Sequence, residues 1–233
     1  MSAGKSPVSA LISAEHASNA VPAAYQSLFV GDEAVLDTHR AWDHGSGELA
    51  RDMSRALGVP LLEGQVTRLL VDLNRSRGHP RHLSEFSRQL EEPERERLIE
   101  QYWTPHWQAF RQAIENAHQP LIHIACHSFT PVLEGIVRDT DIGLLYDPSR
   151  PQEKAWCRAL ARQIRQQLSG LRVRMNNPYL GTSNGMGQQH RKHFADTHLI
   201  TMEIEVNARL VDGRDWAEVR RGLIAAVAKM LGV

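Results

Sequence analysis

The chain has little from which a covalent scaffold or a thiolate metal site could be made. Its two cysteines, Cys126 and Cys157, stand in separate segments, which excludes a disulfide framework and a paired-thiol zinc motif. No apolar run approaches the roughly 18 residues of a membrane span. Nor does one sign of charge prevail, since 27 basic residues face 27 acidic ones. Without a basic stripe to neutralise phosphates, neither a nucleic acid nor a membrane surface is an expected partner. Met1 to Ser9 lacks the charged and apolar regions of a secretory leader, so the expected compartment is the cytoplasm. Repeats, low-complexity tracts and linkers are also missing. The 233 residues, 42% hydrophobic, read as a single domain over 1–233 that buries its core without crosslinks. What the chain does have is twelve histidines, the side chain that most often binds metal or moves protons near neutral pH.

Apolar runs and turn residues predict strands over 8–13, 60–62, 66–73, 121–126, 142–146, 171–175 and 199–206. Helical spacing predicts helices over 48–57, 94–117, 153–168 and 216–231. In the first, Leu49, Ala50, Met53 and Leu57 share a face, Ser46 serves as cap and Gly58 as stop. In the second, Pro105 breaks or kinks the helix near Thr104. Alternating strands and helices indicate an α/β fold with a mostly parallel or mixed sheet covered by helices on both faces. In such folds ligands gather beyond the carboxyl ends of the strands.

Several polar groups fall at those ends. His16 and His127 each follow a different apolar strand, so neighbouring strands would bring both imidazoles to one edge. A catalytic zinc takes three protein ligands and leaves one position open, with a carboxylate as a common third ligand. Asp43, before a helix start, is favoured over Glu15, which would have to turn back past His16. Asn74-Arg75 closes the 66–73 run, and an arginine beside an amide suits an anionic substrate; a surface ion pair is the plainer alternative. Glu203 and Glu205 share one face of the 199–206 strand, and either one near an activated water would serve as general base. The Gly- and Asn-rich stretch 175–187 reads as a mobile loop or a plain surface loop. His79, His82, His106 and His118 are expected to be solvated, and His123, within a strand, to be buried and hydrogen-bonded.

These pieces occur in one order: Glu15-His16-Ala17-Ser18-Asn19 with Val21-Pro22, His39, Ala41-Trp42-Asp43, Arg68, Asp72-Leu73-Asn74-Arg75, His127-Ser128-Phe129-Thr130-Pro131, Asp141-Ile142-Gly143, Asn177-Pro178-Tyr179 and Glu205-Val206-Asn207. In that order they resemble the N-formylglutamate amidohydrolase family over about residues 10–211. The resemblance implies a fold like that of zinc carboxypeptidases and aspartoacylases. It also implies zinc-dependent hydrolysis of a small anionic N-acyl amino acid, such as N-formylglutamate, to formate and the free amino acid. It assigns His16 and His127 to the metal, Asn74 and Arg75 to the substrate carboxylate, Arg68 to the scissile carbonyl and Glu205, or by a shifted pairing Glu203, to catalysis. One departure is Asn19, at a position where carboxypeptidases carry a glutamate ligand; it leaves the third ligand to Asp43 or Glu15. A zinc peptidase or amidase for peptide substrates and a non-catalytic binder of acidic metabolites are the alternative readings.

Overall fold

A computed structural model of the protein describes residues 9–213 and 215–233. Most of the stretch read as lacking a leader, and Val8 of the first expected strand, lie outside the described residues. The strands in chain order are β1 (Ala10–Ala14), β2 (Leu61–Glu63), β3 (Leu121–Phe129), β4 (Val132–Leu133), β5 (Ile136–Val137), β6 (Ile142–Leu145), β7 (Val173–Met175) and β8 (Leu199–Asn207). Six of them form one sheet in the order β2-β1-β3-β8-β6-β7, and β4 and β5 pair as a separate hairpin. All neighbours in the sheet run parallel except β6 and β8, which are antiparallel. The helices are α1 (Ser46–Leu57), α2 (Glu92–Leu98), α3 (Thr104–Glu115), α4 (Pro151–Gln167), α5 (Met186–Arg191), α6 (Ala208–Val211) and α7 (Trp216–Leu231). The expected α/β fold with a mixed, mostly parallel sheet is what the chain adopts.

Strand alternation divides the residues between two faces. Ile12, Ile124, Leu144 and Met202 pack in one cluster with Leu49 and Met53 of α1, Leu160 and Ile164 of α4, and Leu223 and Val227 of α7. On the opposite face Leu11, Leu121 and Leu199 meet Phe110 and Ile114 of α3 and Met186 of α5. A second cluster lies outside the sheet, where Phe29, Leu70, Val71, Leu73, Phe86 and Leu98 are buried together.

That cluster corrects the expected strand over 66–73. The run is apolar because it is buried, yet its backbone forms turns and isolated contacts with other loops: Leu70 N–H donates to Thr67 within a turn, while Arg68 N–H reaches Ala41 and Asp72 N–H reaches His82. None goes to a strand ladder, so burial without an edge partner gives turns. Three boundaries also move. α1 begins at Ser46 after Gly45, whose φ of 79° is left-handed and whose added Cβ would meet Val211 at 2.5 Å, so Ser46 is not the cap. Pro105 does not stop the second helix; a π turn over Ile99–Trp103 joins α2 to α3, with Pro105 in the first turn of α3, where its missing N–H costs little. β3 runs on to Phe129, because β8 pairs with it throughout.

The 175–187 stretch is tied down rather than loose. Asn176 Oδ1 accepts from the N–H groups of Tyr146 and Gly181 at 3.0 and 3.1 Å. Asn177 O passes so close to β6 that a Cβ on Gly143 would lie 2.1 Å from it. Gly143→Ala is therefore expected to destabilise the protein by roughly 2–4 kcal/mol, read as a lowered urea midpoint; a wild-type midpoint would show that the loop does not cross there.

Candidate active site

The site is assembled from the carboxyl ends of β1, β3 and β8. His16 lies two residues past β1 and His127 is the seventh residue of β3, paired in register with Glu205 of β8. Asp43 is brought to them from the loop before α1, where its N–H donates to the His16 carbonyl at 2.9 Å. All four side chains are buried. Nδ1 of His127 lies 2.9 Å and Nδ1 of His16 3.4 Å from the same oxygen, Asp43 Oδ2. One donor atom from each of His16, Asp43 and His127 falls within 4.8 Å of the others.

Behind each imidazole stands a second carboxylate. Nε2 of His16 is 2.7 Å from Asp72 Oδ1, and Nε2 of His127 is 3.0 Å from Glu15 Oε2, an ion pair whose geometry falls short of a full hydrogen bond. Glu15 therefore sits on the far side of His127, and Asp43 on the near side of both histidines. Arg68 joins the two aspartates, donating to Asp43 Oδ1 at 3.2 Å and to Asp72 Oδ2 at 3.1 Å. In the sequence Asp72 stands out only as part of a pattern. An acid in an apolar run between Arg68 and Arg75 is the signal that marks it, because a carboxylate is buried there only with partners.

The charges are mutually dependent. Burial works against ionising Asp43, but His16, His127 and Arg68 outweigh it and hold the carboxyl well below the usual range. Asp72 is likewise held low against its burial, by Arg68, His16 and Arg75. His127 goes the other way: burial opposes its charge, and the contacts with Asp43 and Glu15 raise it well above an ordinary imidazole. Glu205 lacks such partners. Burial, with the nearby charges of Asp43 and Glu203, pushes its carboxyl up to about 8 against His127 and Arg68, and its Oε2 has no hydrogen-bond partner among the described residues.

A cleft of about 910 Å³ opens over this cluster, lined also by Asn74, Arg75 and Glu203. The indoles of Trp107 and Trp103 hold the 73–75 backbone by donating to the carbonyls of Leu73 and Arg75, each at 2.8 Å. Asn74 Oδ1 accepts from Met186 N–H at 2.8 Å, and one Arg75 amino group donates to the Asn184 carbonyl. Asn74 Nδ2 and Arg75 Nη2 have no partner among the described residues, which leaves two donors for an anion. The expected site residues His16, Asp43, His127, Glu205, Arg68, Asn74 and Arg75 thus all line one cleft. Two other histidines differ from expectation. His82 and His106 are buried, not solvated, because Trp103 packs edge-on against the His82 ring and α3 turns His106 inward to face Glu15. His123 is buried between Ser13 and Thr201 as expected, at 2.8 Å from each hydroxyl.

The sheet thus carries a histidine and carboxylate centre at its carboxyl edge, beneath a cleft with free anion donors, and the family to which the chain belongs makes the class an amidohydrolase. The chain belongs to the N-formylglutamate amidohydrolase family, whose model matches residues 8–211. Among solved structures it is similar to a gene product of Agrobacterium tumefaciens, with a TM-score of 0.79 and 25% identity over 97% of this chain and 89% of that one. It is more distantly similar to a succinylglutamate desuccinylase from Chromobacterium violaceum, with a TM-score of 0.44 and 14% identity over 97% of this chain and 60% of that one. An N-acetylmuramoyl-L-alanine amidase of Nostoc punctiforme gives a TM-score of 0.44 and 10% identity over 99% and 100% of the two chains. No curated protein matches the sequence. No helix among the described residues is long and apolar enough to cross a membrane.

The raised Glu205 pKa predicts a pH dependence in metal-free protein. Glu205 holds its proton more tightly folded than unfolded, so the stability it contributes is full below the ordinary carboxylate range and is lost as pH rises through about 8. Glu205→Gln keeps the neutral shape. Its melting temperature is expected to be close to wild type at pH 5 and several degrees above it at pH 9; an offset that does not change with pH would contradict the buried, unpartnered carboxyl.

Proposed function

We propose that the protein is a zinc-dependent amidohydrolase that cleaves N-formylglutamate, or a closely related N-acyl amino acid, to formate or the acyl acid and the free amino acid. The observation that carries this reading is the convergence of His16 Nδ1, His127 Nδ1 and Asp43 Oδ2 at the floor of the cleft.

The donor set fits zinc. Two imidazoles and a carboxylate are a common catalytic ligand set, and a tetrahedron with bonds of about 2.0–2.1 Å has edges of about 3.3 Å, near the 2.9 and 3.4 Å separations from Asp43 Oδ2. The extra proton on His127 also stands where a divalent cation would take its place. When bound, zinc supplies Lewis acidity toward an acyl carbonyl and a water molecule.

The remaining roles fall to the protein. Glu205 takes a proton from the attacking water and passes it to the leaving nitrogen, so that water adds across the C–N bond and the amine departs neutral. Arg68, fixed by Asp43 and Asp72, directs positive charge toward the oxygen on which negative charge develops. Asn74 Nδ2 and Arg75 Nη2 bind the carboxylate of the amino-acid part and so hold the amide over the centre.

Zinc content and formate release from N-formyl-L-glutamate test the proposal together. Wild-type enzyme is expected to lose activity on chelation and regain it with zinc, His127→Ala to retain no tightly bound zinc, and Arg75→Ala to raise KM about tenfold or more with a smaller change in kcat. Full zinc retention by His127→Ala would remove the metal reading, and a zinc-loaded enzyme that cleaves peptides but no N-acyl amino acid would remove the substrate reading.

A further inference from the structure

Glu15 stands apart from the metal-binding donors and has no place in the steps above, yet it is 1% exposed and its two oxygens face two different histidines. Oε2 lies 3.0 Å from His127 Nε2, and Oε1 lies 3.9 Å from Nε2 of His106, a residue of the first turn of α3. His106 is itself buried. Both Glu15 oxygens and both Nε2 atoms lack a hydrogen-bond partner among the described residues. Four polar atoms enclosed in the interior, from three elements distant in sequence, have only one another to satisfy them, and an unpaired carboxylate in such a place is costly.

The arrangement has a direction. His127 offers Nδ1 to Asp43 and the cleft only while its ring is held by Nε2, and an imidazole that binds metal through one nitrogen keeps its proton on the other. We propose that Glu15 is a positioning residue for His127: its carboxylate accepts the Nε2 proton, which fixes the ring and leaves Nδ1 to a divalent cation. His106 braces Glu15 from α3 by facing its far oxygen across 3.9 Å. The helix on the outer face of the sheet is thereby linked to the metal-binding edge through a His106–Glu15–His127 chain. His16 has a counterpart in Asp72, but that carboxylate is already held by Arg68 and the Asn74 N–H; among the described residues the Glu15 carboxylate has only the two histidines.

The inference rests on the reading of His127 as a metal ligand, and the test separates the two. Zinc dissociation constants of Glu15→Gln, His106→Leu, His106→Gln and His127→Ala are measured by chelator competition, with thermal melts of the metal-free proteins. Glu15→Gln is expected to bind zinc about 10–100-fold more weakly. His106→Leu is expected to weaken binding about tenfold, and His106→Gln, whose amide can donate in place of Nε2, to recover most of it; a purely structural loss would not be rescued in that way. Wild-type zinc affinity in Glu15→Gln, or in His106→Leu should Glu15→Gln fail to fold, overturns the positioning role if His127→Ala has lost zinc. Wild-type affinity in His127→Ala overturns the metal reading and the inference with it.

Discussion

Three carboxylates buried beside one another set the terms for the rest of this molecule. Glu15, Asp43 and Asp72 lie in the interior, where an ion is stable only if charge of opposite sign and hydrogen bonds surround it. The protein answers with His16, His127 and Arg68, each of which contacts two of the acids or divides its two ends between them. Removing any one of the three leaves two buried acids with one partner fewer. One donor atom each from His16, Asp43 and His127 lies close enough that the group could hold a metal ion.

The fold supplies what this cluster needs. Parallel pairing of β1, β3 and β8 in the middle of the sheet puts His16, His127 and Glu205 at one edge, and the in-register pairing of His127 with Glu205 fixes their separation. β6, antiparallel to β8, and then β7 complete the sheet beyond β8, and Gly143 of β6 lets the 176–181 segment cross close by to become a wall of the cleft. Outside the sheet, the second cluster turns an apolar run into a fixed series of turns. Asp72, Asn74 and Arg75 project from it, held by the two indoles of α3 and the preceding π turn. The His16–Asp43–His127 group and the Asn74–Arg75 pair therefore come from different layers, joined through Asp72 and Arg68.

Much of this was legible in the residues. The apolar runs of β1, β3 and β8 and the abrupt polar residues after or within them marked the edge where the site lies, and periodicity located α1, α4 and α7 closely. Local sequence misled where burial came without a ladder, as over 66–73, since an apolar run looks alike in a central strand and in a buried turn. It also missed the roles of Asp72 and His106. Both matter through partners far along the chain, and no spacing records which strands become neighbours. The choice between Asp43 and Glu15 was of the same kind: both acids suit a metal, and only the three-dimensional arrangement sets one before the imidazoles and the other behind.

The most direct measurement of the central claim is a crystal structure of the zinc-loaded protein. The account predicts one zinc held by Nδ1 of His16, Nδ1 of His127 and an oxygen of Asp43, with Nε2 of the two histidines still facing Asp72 and Glu15. Zinc bound through Nε2 of either histidine, or held by Glu15 in place of Asp43, would contradict it.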